Sequence, residues 1–499
     1  MEVTEMRVIS DETAGTRTRL TTAIFWLIVA IAVCLKLLLD IVRQSFFLDG
    51  LIYASIARNL AEGVGTVWAP QFSKTLFPIF AEHPPLMMWL QSLLFSSFGD
   101  TKAVDNFFSL AMCAISLAIL VATWRRLNGA DLGMRRSTPV AVIFTIIAGR
   151  FSWGFANGIL ENVLIVFSSL AILFVVVAYE QQQPWRRLGF VIGAGLLTAL
   201  ALMSKGPVGL FPFAAPVIYW VSFRRPTLVV AIIDTIAIGA VIVGVFAVLW
   251  SMEGPRGTIE RYVSVQLLTS LSGERGHNGA GLAALRTFVR VNSYPLLLSG
   301  LVLVLGRKVA RPLGDARLRR DRWQRIVFFS LTGFSASLPL LLGPRVSSFY
   351  FNPSLPYFSA ALAIVCAPTL WRILGVLPTQ LLRSSCLVLV GILGLSLVLI
   401  VFNLGQTGQD IRTITQAKRI ASQVCVSQVS CDAIVSTCGS VHEDWLLHAY
   451  LQRYFHIALA DPATTPGKNL LASIDCAKDL AAYREAGIDV APYRLLRRE

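Results

Sequence analysis

Residues 21–40 read TTAIFWLIVAIAVCLKLLLD, matching the roughly 20 mostly apolar residues that carry a helix through the hydrocarbon of a bilayer. Lys36 lies inside the run and no small-residue cleavage site follows it, so the run reads as a retained anchor and not as a removable signal. Runs of the same character recur near 104–123, 138–150, 160–179, 188–204, 207–222, 228–250, 292–306, 326–343, 353–370 and 384–403. The fold class that follows is an all-α polytopic membrane protein of about eleven spans. Composition agrees: only 15% of residues are charged and 55% are hydrophobic, whereas a soluble domain carries roughly a quarter charged.

The loops between the runs alternate in charge. Arg125, Arg126, Arg135 and Arg136, then Arg186 and Arg187, then Arg224 and Arg225, then a dense run from Arg307 to Arg325, and last Arg372 and Arg383 fall in every second loop. This is the positive-inside pattern, which assigns those loops to the cytoplasm. Residues 1–20 then form a cytoplasmic tail, 21–403 the membrane domain, and the long segment 41–103 and everything after 403 face the periplasm across a cell inner membrane. The net charge of +15 is mostly this topology signal. The 307–325 run is therefore a cytoplasmic loop beside membrane lipids and not a nucleic-acid patch.

From 404 to 499 the composition turns soluble, and the length suits a small domain. Asp432–Ser436 and Asn469–Ser473 read as strands, and 441–455 and 476–486 as helices, giving a small periplasmic α/β module. Cys425, Cys431, Cys438 and Cys476 are concentrated there. An oxidising compartment favours one or two disulfides among them; zinc and free thiols are the alternatives, and the spacing does not match the close pairs of structural zinc sites.

Ionisable residues at the outer ends of spans are the candidates for chemistry, because charge next to hydrocarbon is expensive. Directly after the first span comes FLDGLIYASIARNL, residues 47–60, an amphipathic helix that sets Asp49 at the water boundary, with Tyr53 and Arg58 further along. Asp49 there is either a general base or merely a helix cap. Glu82-His83-Pro84-Pro85 then opens an apolar run, 84–98, too short to span comfortably. His83 beside Glu82 could hold a metal or a phosphate, although two residues make a weak metal signal. The next outer turns carry Arg150, Trp153, Asn157 and Glu161, then Ser204-Lys205-Gly206-Pro207. Lys205 is placed to hold a phosphate as a point charge or simply to snorkel. The 251–291 loop holds Gln266 and a Gly-rich stretch around His277 that reads as a lid, and Arg345 and Tyr350 precede the last outer turn.

On these residues the chain resembles the lipid-linked sugar transferases with the C-type glycosyltransferase fold, in the branch of the bacterial aminoarabinose transferase for lipid A and the protein O-mannosyltransferases. The resemblance rests on Asp49 with Tyr53, on Glu82-His83-Pro84-Pro85, on Glu161, on Met203-Ser204-Lys205-Gly206 with Pro212, on the Gly/His loop, and on Arg345 with Tyr350, in that order over about 20–370. It implies that Asp49, with Glu161, serves catalysis, and that Lys205 and Arg345, joined by Tyr350 and His83, hold the phosphate of a polyprenyl-phosphate-linked sugar donor. Tyr53, Arg58, Glu82, Gln266 and His277 are then grouped as the substrate loop. The sequence departs from the family pattern at Gly50, where many relatives have a second acidic residue, at Glu161 in place of Asp, and at His83 in place of Lys.

The loop layout further resembles rhizobial transferases that add galacturonic acid to lipopolysaccharide core or lipid A. Arg58, Lys74, Lys102, Arg150, Arg275, Arg286 and Arg290 would suit such a sugar's carboxylate or the phosphates of a lipopolysaccharide or lipid A acceptor. The expected reaction is a direct inverting transfer without a nucleotide, with a divalent metal left open. Protein O-glycosylation of the mannosyl type is the nearest alternative. A flippase or transporter is the rival from another class, against which stand the lack of a repeat between the halves and the gathering of charge on the outer side.

Overall fold

The computed structural model describes the chain except for residues 1, 270–280, 309–315, 342–345, 426–432, 462, 464–466 and 499. Each apolar run read from the sequence lies on a helix, and the chain is a multi-pass membrane protein. Among the described residues, 8 segments are long and apolar enough to cross a membrane, from Gly15–Ile41 to Thr379–Asn403. One of them, Pro184–Phe223, holds two of the runs: its first helix, Pro184–Lys205, stops at Gly206 with φ 76°, and a 3-10 stretch and the helix Ala215–Phe223 follow. The short helix Thr138–Ile147 and the helix Ala316–Leu341, whose first turns carry Arg317, Arg319, Arg320 and Arg322, account for the other runs. Residues 2–20 are helical and continuous with the first span in one helix, Glu2–Val33, which opens into a π-helical turn at Cys34–Leu38.

Burial follows what a bilayer demands. Aromatic and branched side chains such as Trp124, Phe144, Phe328, Phe329 and Tyr357 fill the centre of the bundle. The last helix, Thr379–Asn403, buries only Leu382 and Ser396 and turns Leu387 and Phe402 outward, 73% and 72% exposed, as lipid contact allows.

The two ends of the bundle differ. Helix Lys102–Leu127 has 26 residues and spans about 39 Å at 1.5 Å per residue. At its start, Asp100 and Asp105 pair with Arg453 of the C-terminal domain at 2.5 and 2.9 Å. Beyond its far end, Asp131 accepts from Arg322 at 3.0 Å and Asn128 from Arg325 at 3.1 Å. The basic loops and the C-terminal domain therefore lie at opposite ends.

The segment between the first two long helices contains helix Leu48–Ala61, the hairpin β1 (Gly65–Thr66) and β2 (Ala69–Pro70), and helix Leu86–Phe98. The last has 13 residues, about 20 Å, which falls short of the hydrocarbon thickness. The C-terminal domain is a sheet of β3 (Ala433–Cys438), β4 (Ile457–Ala460), β5 (Asn469–Ala472), β6 (Tyr483–Glu485) and β7 (Arg494–Arg498) in the order β4-β3-β5-β7-β6. β3 pairs in parallel with β4 and β5, and β7 pairs antiparallel with β5 and β6. Helix Trp445–Phe455 makes the crossover from β3 to β4. Phe46 and Leu51, from the start of the segment between the first two long helices, belong to this domain's core.

One tail element differs from its reading. Residues 476–486 are not helical: Cys476 is bonded to Cys438 with Cα atoms 5.1 Å apart, the Asp479 carboxylate accepts from the Ala481 N–H at 2.9 Å in a turn, and Tyr483–Glu485 pairs with β7. Cys425 is disulfide-bonded as well, and Cys431 lies outside the described residues. These bonds remove Cys425, Cys438 and Cys476 as zinc ligands, while Cys34, Cys113, Cys366 and Cys386 are free thiols.

Candidate active site

Helix Leu48–Ala61 starts where the first span ends, and its entry decides how Asp49 is presented. The cap position belongs to Phe47, extended at φ −65° and ψ 143°, whose N–H donates to Asn157 Oδ1 at 2.8 Å. Asp49 is therefore not the cap. It stands in the first turn, where the unpaired N–H groups of the helix favour a carboxylate. The neighbouring Gly50 is required by contact: a Cβ there would sit 2.0 Å from the Asn157 carbonyl oxygen and 2.6 Å from the Phe46 ring. A second acidic residue at this position has no room here.

One turn on, Tyr53 is buried, and its phenol is pushed well above its ordinary value, first by burial and then by Asp49, Glu161, Tyr350 and Glu82. Residues from distant parts of the sequence thus share one electrostatic neighbourhood. The His83 ring meets Tyr53 edge-on at 5.8 Å between centroids, and Phe80 packs on both.

Glu161 lies in the first turn of helix Glu161–Ala178 and Lys205 in the last turn of Pro184–Lys205, so each charge suits its helix end. The two form a salt bridge with Glu161 only 1% exposed, where an unpaired carboxylate would be penalised by several kcal/mol. Lys205 Nζ also lies 4.2 Å from the Tyr350 ring centroid and 5.4 Å from that of Phe349, a cation–π arrangement. Phe349 packs on Phe47 at 5.6 Å and on Trp153 at 5.9 Å. An aromatic floor therefore runs from Lys205 to the start of the Asp49 helix.

An apolar groove reaches the same place from the side of the bundle. One cavity of about 570 Å³ runs along Leu196, Leu200, Val245 and Leu249; a second of about 160 Å³ continues past Gly206, Pro207 and Tyr262. Trp68, Pro85 and Met203 line both. A Cβ on Gly206 would meet Tyr262 Oη at 2.0 Å, so glycine is what lets that ring close over the groove's end, one residue from Lys205.

Other expected residues stand apart. Arg58 is 1% exposed and donates to the carbonyl oxygens of Gln452 and Arg453 at 2.8 and 3.0 Å and to Asn59 Oδ1 at 2.7 Å. It is a tie to the C-terminal domain and does not line the substrate loop. Gln266 is in the π-helical stretch Tyr262–Leu268, and its Oε1 is buried with no hydrogen-bond partner among the described residues. His277 and Arg345 lie outside the described residues. Among the described residues, the group with ligand atoms close enough for a metal is Glu62, Asp100 and His456, within 4.8 Å of one another. That group is at the junction with the C-terminal domain. Burial would raise the Asp100 carboxyl, but His456, Arg453 and Arg58 outweigh it and hold it at about 2, so this carboxylate is already engaged by cations.

Sequence reasoning did not single out Phe349, Trp68, Tyr262 or Arg453. Phe349 could have been found beside Tyr350 in an aromatic-rich turn; the others are ordinary-looking residues until the fold brings them together.

A family model described as dolichyl-phosphate-mannose-protein mannosyltransferase matches residues 82–250, the stretch with Glu82, His83, Glu161 and Lys205. No curated protein sequence matches the chain. Among solved structures, ArnT from Cupriavidus metallidurans in the apo state is similar with a TM-score of 0.63 and 14% identity, over 94% of this chain and 97% of that one. The same protein bound to undecaprenyl phosphate gives 0.64 at 14% identity over the same shares. The Archaeoglobus fulgidus oligosaccharyltransferase in its apo form gives 0.48 at 12% identity, over 89% of this chain and 64% of that one.

Proposed function

We infer, from the C-type lipid-linked glycosyltransferase fold that the chain has, that it transfers a sugar from a polyprenyl-phosphate carrier to an acceptor hydroxyl. The observation that carries this reading is the apolar groove ending one residue from Lys205, which suits a long isoprenoid tail with a phosphate at its head. The similar ArnT structure bound to undecaprenyl phosphate supports the same donor class.

The acceptor oxygen attacks the anomeric carbon from the face opposite the carrier. The bond from that carbon to the phosphate oxygen breaks, and Asp49 takes the hydroxyl proton. Lys205, oriented by Glu161 and Tyr350, stabilises the charge that grows on the departing phosphate, with Arg345 and His83 assigned to the same phosphate. General-base help supplies about two to four orders of magnitude and charge stabilisation often more. Tyr53 and Glu82 shape the pocket around the base.

The active face is the periplasmic side of the inner membrane, supported by the alternation of basic loops and by the disulfides of the C-terminal domain. The acceptor is lipopolysaccharide core or lipid A, supported by the cationic cavity of Lys36, Arg150 and Arg290, and the sugar is galacturonic acid, supported by the likeness of the loop layout to the rhizobial transferases. A second reading, transfer of mannose to protein, is favoured by the family-model match. Purified protein in detergent with defined polyprenyl-phosphate sugars, offered lipid A, core oligosaccharide or a Ser/Thr-rich polypeptide, separates the two, and mass analysis of lipopolysaccharide from a deletion strain identifies the product. Glycosylated protein with unaltered lipopolysaccharide would move the assignment to the second reading; no carrier-dependent transfer to any acceptor would end the first.

A further inference from the structure

A cavity of about 670 Å³ meets the aromatic floor at Trp153, is lined by Lys36, Asp40, Arg150, Arg290 and Tyr294 among others, and shares no lining residue with the apolar groove. It has a marked excess of positive charge: three cations face one carboxylate. That carboxylate is shared, since Asp40 lies 3.9 Å from Arg43. Neither Arg150 nor Arg290 has a carboxylate partner among the described residues.

The cations are arranged and not merely present. Arg150 stacks its guanidinium on the Trp153 ring at 4.7 Å, which fixes its plane and leaves its N–H edge available for the bidentate contact that phosphate accepts. Lys36 stands 6.0 Å from the Tyr294 ring and projects from the π-helical turn Cys34–Leu38, a local widening that is frequent at functional sites.

The cavity also has a direction. Asp40 and Trp153 line it together with a neighbouring cavity of about 440 Å³ that continues past Phe47, Leu48 and Asn157, the entry of the Asp49 helix. A group held by Arg150 and Arg290 therefore points the rest of its molecule toward Asp49. A carrier phosphate delivered by the groove to Lys205 is separated from this cavity by Phe349 and Trp153. Two separate cationic places along one aromatic floor, Lys205 by Phe349 and Arg150 on Trp153, fit two phosphates from two molecules.

We propose that the Lys36–Arg150–Arg290 cavity is a subsite for a phosphate group carried by the acceptor, so that the enzyme selects phosphorylated, lipid-anchored saccharides. This rests on the transferase reading and names its acceptor class.

The test uses the full-length protein and Arg150→Gln/Arg290→Gln, with lipid A and phosphatase-treated lipid A as acceptors. The parent is expected to prefer the phosphorylated acceptor by at least tenfold in kcat/KM. In the double variant that preference should collapse through a higher acceptor KM, while the KM for the carrier-linked sugar holds. A preference that survives the double substitution, or a rise confined to the donor KM, would overturn the assignment. Direct binding of lipid A to the two proteins in detergent gives a readout without turnover. If the parent binds lipid A and the variant does not, while neither transfers sugar, the subsite stands and the transferase reading falls. Competition arms identify the source of the anion: displacement of lipid A by phosphatidylglycerol nanodiscs at equal phosphate would make the cavity a general lipid-headgroup site, and equal displacement by inorganic phosphate a free-phosphate site, and either would overturn an acceptor subsite. Correct folding of the variant is read from its thermal transition, and Arg150→Lys/Arg290→Lys, which keeps charge but loses the fork, should recover part of the preference.

Discussion

Replacing Asp49 by Asn removes a charge and leaves the helix entry alone, because Phe47, and not Asp49, holds the cap position. If Asp49 is the base, Asp49→Asn should lower turnover roughly a hundredfold or more at saturating substrates, with yield and thermal transition unchanged. Purified protein assayed with a polyprenyl-phosphate sugar decides it; parental turnover would move the base elsewhere. Gly50→Asp should fail differently. The new side chain would overlap the Asn157 carbonyl, so the helix entry must shift, with a loss of stability of about 1–3 kcal/mol or more and no gain of a second base. A third residue, His448, reports on pH. It is 4% exposed, its ring bonds to the His442 carbonyl at 3.1 Å, and burial, then the charge of His442, push its imidazole down from 6.5 to about 4. A lowered imidazole means that the folded domain prefers the neutral ring. Stability is therefore full above about pH 6.5 and falls as pH drops toward 4, by up to roughly 3 kcal/mol at about 1.36 kcal/mol per unit. Fluorescence of Trp445, 6.1 Å from that ring, should follow the change, and His448→Gln should flatten it in this window.

At the scale of elements, helix Leu48–Ala61 is held at both ends by helix Trp445–Phe455. At one end the Phe46 N–H donates to Tyr450 Oη at 3.0 Å, and that hydroxyl donates to Asp410 at 2.9 Å. At the other, Arg58 caps the carbonyls of Gln452 and Arg453, while Arg453 reaches Asp100 and Asp105. Tyr450→Phe strands a buried N–H and should reduce stability by about 1–3 kcal/mol. Arg453→Leu strands the buried Asp105 carboxylate and should reduce it by about 3–5 kcal/mol. Denaturation in detergent measures both. These ties explain why Arg58 was misplaced by sequence reasoning. An Arg on an amphipathic helix beside a candidate acid looks like a substrate contact, and its partners are 394 and 395 positions away. The non-helical 476–486 stretch has the same origin, because a disulfide to Cys438 and a pairing with β7 override its local helical pattern.

For the whole molecule, the elements that composition and period specify were legible: the apolar runs, the start of the soluble tail, strand Asn469–Ala472 and helix Trp445–Phe455. Asp49, Tyr53, His83, Glu161, Lys205 and Tyr350 were legible as charged, aromatic or Gly-adjacent residues at span ends, and their meeting around Tyr53 and Lys205 was not, since it depends on how helices pack. Labelling of introduced cysteines tests the orientation. Single cysteines introduced in 64–66 and in 480–482 of a chain with Cys34, Cys113, Cys366 and Cys386 replaced should be labelled from outside intact cells, and those in 317–320 should not; the reverse pattern would place the active face in the cytoplasm.

The arginine clasp between Arg58 and Arg453 also bears on when the protein becomes competent. Synthesis runs from the N-terminus, so helix Leu48–Ala61 exists long before helix Trp445–Phe455 that grips it. Until residue 453 arrives, Arg58 lacks its carbonyl acceptors and Asp105 its guanidinium. Helix Leu48–Ala61 therefore gains its last ties from residues 394 and 395 positions further along the chain than Arg58. A nascent copy should be inert toward carrier-bound sugar, and chains ending at 403 should insert in the membrane yet show neither transfer nor a normal thermal transition. Supplying residues 404–499 as a separate polypeptide in the same compartment should restore both, turning completion of the chain into a measurable switch.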